Sequence, residues 1–408
     1  MTRKLKDSGV DWIGKIPEDW EKIRLKYLCN INTGNKDTVN RVDNGVYPFF
    51  VRSPIVERID TYSFDGEAIL TAGDGAGTGK VFHYIKGKFD YHQRVYNIHG
   101  FKGVSPKFLF YYLKTNFIKE IERGTAKSTV ESLRLPMLKN FPIVMPNLEH
   151  QKKIVHFIDF KVNQIDPFIE KTKLSIKELN QYKQSLITES LTKGLNPNVA
   201  MKDTRIGWLG YVPNHWDVRK LKNIFVIKKD IANVLGFDVL SVTQHGLKIK
   251  DIESNEGQLS SDYSKYQIVE KDDFVMNHMD LLTGWVDCAR NKGVTSPDYR
   301  VFRFKNNFEF NHDYYKYLLQ ACYLNKTFYG YGQGVSNLGR WRLPTDQFLN
   351  FYFPVPSLRE QIDIANFLDG KINSINNLIV KKEQLINEMQ EYKASLIYEY
   401  VTGKKEVL

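Results

Sequence analysis

The 408-residue chain is poor in cysteine and in long apolar runs. Its three cysteines, Cys29, Cys288 and Cys322, are odd in number and far apart. That excludes a disulfide framework and zinc spacing, and reads as free thiols of a reducing compartment. No apolar run approaches the roughly 18 residues of a membrane helix, and the opening Met1-Thr2-Arg3-Lys4-Leu5-Lys6-Asp7 is not a signal peptide. A cytoplasmic chain is expected. Catalytic motifs are missing as well. Gly73-Asp74-Gly75-Ala76-Gly77-Thr78-Gly79-Lys80 falls short of a phosphate loop, because Asp74 and Val81 stand where glycine and a hydroxyl residue are required. Asp166-Pro167-Phe168 and Asn196-Pro197-Asn198 do not supply the Asn/Asp-Pro-Pro-aromatic motif of an amino methyltransferase. Pro297-Asp298 lacks a nuclease partner, and the nine histidines form no metal-ligand pattern. These absences favour binding over chemistry.

What is there is basic and repeated. Lysine and arginine outnumber aspartate and glutamate by 58 to 47, a net charge of +11, which suits a polyanionic partner. Trp12, Gly14, Pro17 and Trp20 return as Trp208, Gly210, Pro213 and Trp216, all at an offset of 196. Pro146-Asn147-Leu148-Glu149-His150-Gln151 returns as Pro356-Ser357-Leu358-Arg359-Glu360-Gln361 at an offset of 210, followed by Phe157-Ile158-Asp159 and Phe367-Leu368-Asp369. Between these blocks the two halves differ. Residues 27–145 and 223–353 are rich in short β-like runs, such as Tyr47–Val51, Ala68–Thr71, Asp273–Met276 and Arg300–Phe304. Each also carries one expected helix, near Pro106–Arg123 and near Asp313–Phe328. The four tryptophans read as packing anchors, with a partner surface as the alternative.

Residues 149–192 contain no glycine and repeat apolar side chains every seven residues. One row is Ile158, Ile165, Thr172, Leu179 and Leu186; its counterpart in the second half is Leu368, Ile375, Lys382, Met389 and Leu396. These are heptad seams, expected to pair with each other as a coiled coil. Thr172 and Lys382 interrupt them at the same place and are expected to fix register. Pro167 predicts either a short helix followed by a long one from Asp166, or a kink. A 44-residue helix is about 66 Å long, while the Gly194–Ile206 link reaches at most about 45 Å. Two antiparallel helices with a globular domain at each end are therefore expected.

The two openings, the two Pro-x-Leu-x-x-Gln helix starts and their ordered duplication resemble the specificity subunit of type I restriction–modification enzymes over nearly the whole chain. The resemblance implies an α+β fold with two pseudo-symmetric target recognition domains separated by two long antiparallel helices. Residues 1–146 would be the first domain, 147–193 the first spacer helix region, 194–204 a linker, 205–355 the second domain, 356–403 the second spacer helix and 404–408 a tail. It implies a non-catalytic subunit that reads double-stranded DNA and docks two modification (methyltransferase) subunits, with restriction subunits completing the nuclease. S-adenosylmethionine, ATP and Mg would sit on those partners, with no cofactor or metal in this chain. One departure is the lack of a tandem tetrapeptide repeat after the first helix, so spacer length is not legible.

Base readout needs donors and acceptors on loops facing a groove. In the first domain these are Lys80 of the glycine-rich turn, His92, Gln93 and Arg94 after it, and Lys127 and Ser128 of a polar loop. In the second they are Gln244, His245, Asn277, His278, Gln333, Asn337, Arg340 and Arg342. The glycine-rich segment is either a plain turn or a loop whose backbone approaches phosphates; the resemblance implies Leu281–Val286 as its counterpart. Two rivals remain at this level: a single-chain restriction or methylation enzyme, and a coiled-coil scaffold with no DNA role.

Overall fold

A computed structural model describes residues 3–124, 133–251, 262–335 and 340–407. Contacts divide the chain into two compact units that cut across its sequential order: residues 1–173 with 383–408, and residues 174–382. The fold is α+β.

In the first unit, Leu5–Asp7 pairs with Lys15–Pro17, and Glu21–Arg24 pairs with Pro142–Met145, both antiparallel. This is the frame that the Trp-Gly-Pro-Trp block builds. Gly14 turns the first hairpin at φ +66°, a left-handed conformation glycine adopts without penalty. Within the frame lies a six-stranded sheet in the order Asn30–Thr33, Val95–His99, Phe64–Ala72, Phe82–Tyr91, Tyr47–Phe50, Glu57–Ile59. Its one parallel pair places Phe49 opposite Asp90. Alternation decides the two faces. Ala68 and Leu70 join Phe50 and Phe89 on one side, while Ile69, Phe82 and Ile98 pack toward helix α1 (Pro106–Gly124), which supplies Phe108, Leu109, Tyr112 and Phe117.

In the second unit the frame recurs: Met201–Asp203 with Tyr211–Pro213, and Asp217–Lys220 with Tyr352–Val355. Gly210 repeats the left-handed turn at φ +60°. What the frame holds is different. Its main sheet has four strands, all antiparallel, in the order Phe225–Lys228, Arg300–Phe304, Phe274–Met276, Val286–Cys288. Three two-stranded ribbons surround it, the last being Gln333–Val335 with Arg340–Arg342.

The long helices are α2 (Leu148–Lys193) and, beyond the shorter α3 (His312–Leu324), α4 (Leu358–Val401). The expected break at Pro167 is not found: α2 runs through it. Pro167 and Asn163, whose carbonyl loses its helical donor, are both on the exposed face, where the carbonyl is open to solvent. Helix α3 stops at Leu324, short of the expected Phe328, because Asn325 ends it and a separate 3-10 turn covers Phe328–Tyr331. In the first unit Phe157 meets the Tyr400 ring at 4.5 Å and Lys393 bonds Asp166 at 2.5 Å. In the second, Lys183 bonds Asn376 at 2.9 Å. In the first unit numbers rise along one helix as they fall along the other, so the segments there run antiparallel. None of the seam residues Ile158, Ile165, Thr172, Leu179, Leu186, Leu368, Ile375, Lys382, Met389 and Leu396 is exposed. Thr172 spends its hydroxyl on the Phe168 carbonyl of its own helix, at 2.8 Å.

No helix among the described residues is long and apolar enough to cross a membrane. The three cysteines are free, and burial pushes the Cys29 thiol up to about 12, so it carries no thiolate near neutral pH.

Candidate nucleic-acid interface

The first unit brings three loops together. The glycine turn after Ala72 is bonded to the loop after Tyr91, Gly73 N–H donating to the Arg94 carbonyl at 2.8 Å. A Cβ on Gly73 would lie 2.9 Å from that oxygen, and one on Gly77 would lie 2.3 Å from the Arg52 carbonyl. Glycine is needed at both places for close approach of backbone to backbone, which favours the plain-turn reading of this segment's packing. Around it, Arg52 donates to Asp74 at 3.0 Å, and the Arg94 Nε lies 3.7 Å from the other oxygen of the same carboxylate. Gln93 and Arg94 are exposed, and Gln93 donates to Asp37 at 2.8 Å. Lys80 is exposed on the turn. His92 is not a surface group: it is 3% exposed, and its Nδ1 accepts the Arg94 backbone N–H at 2.9 Å. Burial holds it below the usual histidine range, with Arg52 and Arg94 adding to the effect and Asp37 and Asp74 opposing it. His92 is therefore a buried support of the loop that carries Arg94. Lys127 and Ser128 lie outside the described residues.

In the second unit, the Asn277–Trp285 loop and the Gln333–Arg342 ribbon come together. The Trp341 carbonyl accepts from Leu281 N–H at 2.9 Å, and Leu343 N–H donates to the His278 carbonyl at 2.9 Å. Gly284 packs so tightly that a Cβ there would lie 2.1 Å from the Asp280 carbonyl. Gln244, His245, Gln333 and Arg342 are exposed; Asn277 is half-buried and accepts at its carbonyl from the Tyr323 hydroxyl at 2.8 Å. Arg340 faces Val335 in the ribbon, and Asn337 lies outside the described residues. His278 is half-buried, unlike the fully buried His92. Desolvation first, then Arg300 and Arg342, push it down to about 3, and its Nδ1 is buried without a partner. Beneath it Arg300 is 4% exposed, donates to the Leu343 carbonyl at 3.0 Å and to Thr345 at 3.2 Å, and lies 4.6 Å from the Phe348 ring centre. Among the described residues no carboxylate pairs with it.

The match to known proteins follows this duplicated geometry. The family model for the type I restriction modification DNA specificity domain matches residues 17–181 and again 213–388. The chain belongs to the type I restriction–modification DNA specificity family. A specificity subunit of the EcoDI enzyme of Escherichia coli is 28% identical over 67% of this chain, a stretch covering 62% of that relative. The MjaVIII specificity subunit of Methanocaldococcus jannaschii is 26% identical over 96% of this chain and 94% of its own length. At the level of fold, a chain from a structural study of type I system assembly and conformational transition superimposes with a TM-score of 0.68 at 13% identity, covering 96% of this chain and 99% of its own. The HsdS subunit of Thermoanaerobacter tengcongensis gives 0.53 at 14%, covering 96% and 98%. The role of a specificity-family chain is recognition of DNA sequence, and it is not itself an enzyme.

The specificity-family repeat has a physical job that the motifs only hinted at. Gln151 and Gln361 are both fully buried. Each accepts a backbone N–H that opens the helix of its insert, from Ser105 or Asn311, at 2.8 Å, and donates to Pro146 or Pro356 at 2.9 Å. Asp159 accepts from Tyr111 at 2.6 Å, and Asp369 accepts from Tyr317. Trp20 and Trp216 are buried anchors, and they receive helix ends from elsewhere in the chain. In the first unit the end of α4 arrives at Trp20: a Cβ on Gly403 would lie 3.2 Å from its ring. In the second the end of α2 arrives at Trp216, where a Cβ on Gly194 would lie 3.1 Å away. Both glycines have positive φ, +72° and +76°. The sequence reading missed Arg52, Asp74 and Asp37 as partners of the candidate residues Arg94 and Gln93. The only signal was an acidic residue inside the glycine turn, noticed there as the wrong residue for a phosphate loop. It missed Arg300 because a single arginine in an apolar strand carries no periodic signature.

Proposed function

We propose that this chain reads an asymmetric bipartite site in double-stranded DNA, one half-site per variable insert. The observation that carries it is one frame built twice around two unlike sheets: the same support with two different readers. In the first reader, Lys80, Gln93 and Arg94 face the DNA and His92 positions Arg94; Lys127 and Ser128, outside the described residues, are proposed to contact it as well. In the second, Gln244, His245, Asn277, Gln333 and Arg342 do so beside the half-buried His278; Asn337 and Arg340 are proposed to contact the DNA with them. Lysines and arginines position the phosphates and the remaining polar groups meet base edges. The long helices set the spacing of the half-sites through their seams and dock two modification subunits. Those subunits bring S-adenosylmethionine and the base-flipping step. Restriction subunits with ATP and Mg complete a cytoplasmic complex.

The test exchanges residues 223–353 for the corresponding region of another specificity chain, in cells that also carry the modification genes. Methylome sequencing should show one half-site replaced and the other kept. Replacement of both halves, or of neither, would refute the modular reading.

A further inference from the structure

In the first unit, Asp74 lies between two arginines that come from different loops. Its Oδ1 accepts from Arg52 Nη1 at 3.0 Å, and its Oδ2 lies 3.7 Å from Arg94 Nε. The backbone beneath is welded by the close approaches of Gly73 to Arg94 and Gly77 to Arg52, so the carboxylate and both arginines share one rigid base. His92 adds a second hold, accepting the Arg94 N–H. The Arg94 side chain is 66% exposed, and the carboxylate meets it at Nε, the inner end of the guanidinium. Among the described residues neither terminal amine has a hydrogen-bond partner, which leaves the pair available as a fork.

Such a fork has two common targets, a phosphate or a guanine. Charge separates them. Arg52, Arg94 and Asp74 together carry +1, and a fixed carboxylate this close to a phosphodiester is repelled by it. At a base edge the carboxylate meets only the partial charges of acceptor atoms, a smaller penalty, and it becomes a brace that limits the orientations of the fork and reduces the entropy lost on contact. We propose that Arg94, braced by Asp74 and flanked by Arg52, reads a guanine in the first half-site, its terminal amines donating to O6 and N7 in the major groove. Asp74 and His92 are positioning residues. This rests on the bipartite reading above and assigns one base pair within it.

The experiment uses the full chain with its modification subunits in a host that does not otherwise methylate the site, read by methylome sequencing. The unsubstituted complex should give a motif whose first half contains a G·C pair. Arg94→Ala and Arg94→Lys should both lose preference for that pair by about 5- to 150-fold, with the other half-site unchanged. Asp74→Asn, which keeps the shape but removes the charge, should relax the same position by a smaller factor. A first half without any G·C pair overturns the assignment. So does an Arg94→Lys chain that keeps full preference, because lysine supplies charge without a fork. An even loss over all sequences in Arg94→Ala, with a shallower salt dependence, also overturns it and marks a phosphate contact. If the unsubstituted motif is one continuous block, the bipartite reading fails as well; a two-part motif with an unaltered first half sinks the fork alone.

Discussion

The two readers solve one electrostatic problem in opposite ways. In the first, polar groups at the interface are tied to carboxylates: Arg52 and Arg94 to Asp74, Gln93 to Asp37. In the second, Arg300 is buried under the candidate loop, where its described partners are a carbonyl, a hydroxyl, the Met276 sulfur and an aromatic ring, with no carboxylate among them. A braced fork trades attraction for geometry; an uncompensated buried cation adds field at the cost of desolvation. Two inserts on one frame therefore need not share a recognition chemistry, and the frame does not dictate it.

The largest break in the comparison should come from buried charge. The second unit holds an ion pair in its interior, Lys228 to Asp273 at 2.7 Å, with both side chains below a tenth exposed. Lys228→Met would strand Asp273 and is expected to cost about 3–5 kcal/mol. Lys228→Met with Asp273→Leu should recover most of that, since two apolar groups leave no charge behind. Denaturant unfolding of the three chains checks it. A double variant no better than the single would mean that the Glu270 N–H bonded by Asp273 at 2.9 Å matters more than the pair.

The frames should behave alike, with a measurable inequality. Gln151→Ala leaves the Ser105 N–H and the Pro146 carbonyl without partners, and Gln361→Ala leaves Asn311 N–H, the Pro356 carbonyl and the Glu309 carbonyl. Each buried group left unpaired costs about 1–3 kcal/mol unless water reaches it. The second substitution should therefore be the more damaging, seen as faster amide exchange at the start of α3 than at the start of α1. Equal effects would show that the extra bond to Glu309 contributes nothing.

How much of this was legible depends on what each feature leaves in a linear sequence. The frame was legible because it occurs twice: chance does not repeat Trp, Gly, Pro and Trp at one offset. The helices were legible because a seven-residue period survives in the composition of their faces, and Pro167 misled only because its exposed position is a tertiary fact. Strands such as Ala68–Thr71 were legible as short β-branched and apolar runs, but not their order, since the parallel pairing of Phe49 with Asp90 joins residues 41 apart. The interface was the least legible part. Arg94 was within reach because it follows a glycine turn. Its neighbour Arg52 comes from a loop 42 residues away, and nothing local marks the two as a pair. His92 and His278 read as polar loop residues. Only the packing shows that His92 is a buried group bonded to the Arg94 backbone and that His278 is half-buried with an unpartnered Nδ1.

Those two histidines give the finest test of the contrast. Both are held below the usual range by burial, and their neighbours then act differently. Around His92, Asp37 and Asp74 partly offset Arg52 and Arg94; around His278, Arg300 and Arg342 both push the same way, to about 3. A histidine whose folded pKa lies below its unfolded value favours the fold while neutral. That contribution is complete above about 6.5 and is lost as pH falls toward the folded value. For His278 the window runs from about 6.5 down to about 3. Going from pH 6.5 to 5.5 should remove about 1 kcal/mol through this one group. His278→Gln should flatten that part of the stability profile of the second unit. Titrating both imidazoles by NMR should find His278 the later to protonate as acid is added. If His92 resists protonation to the lower pH, the carboxylates of the first reader do not offset its arginines, and the electrostatic contrast between the two readers fails.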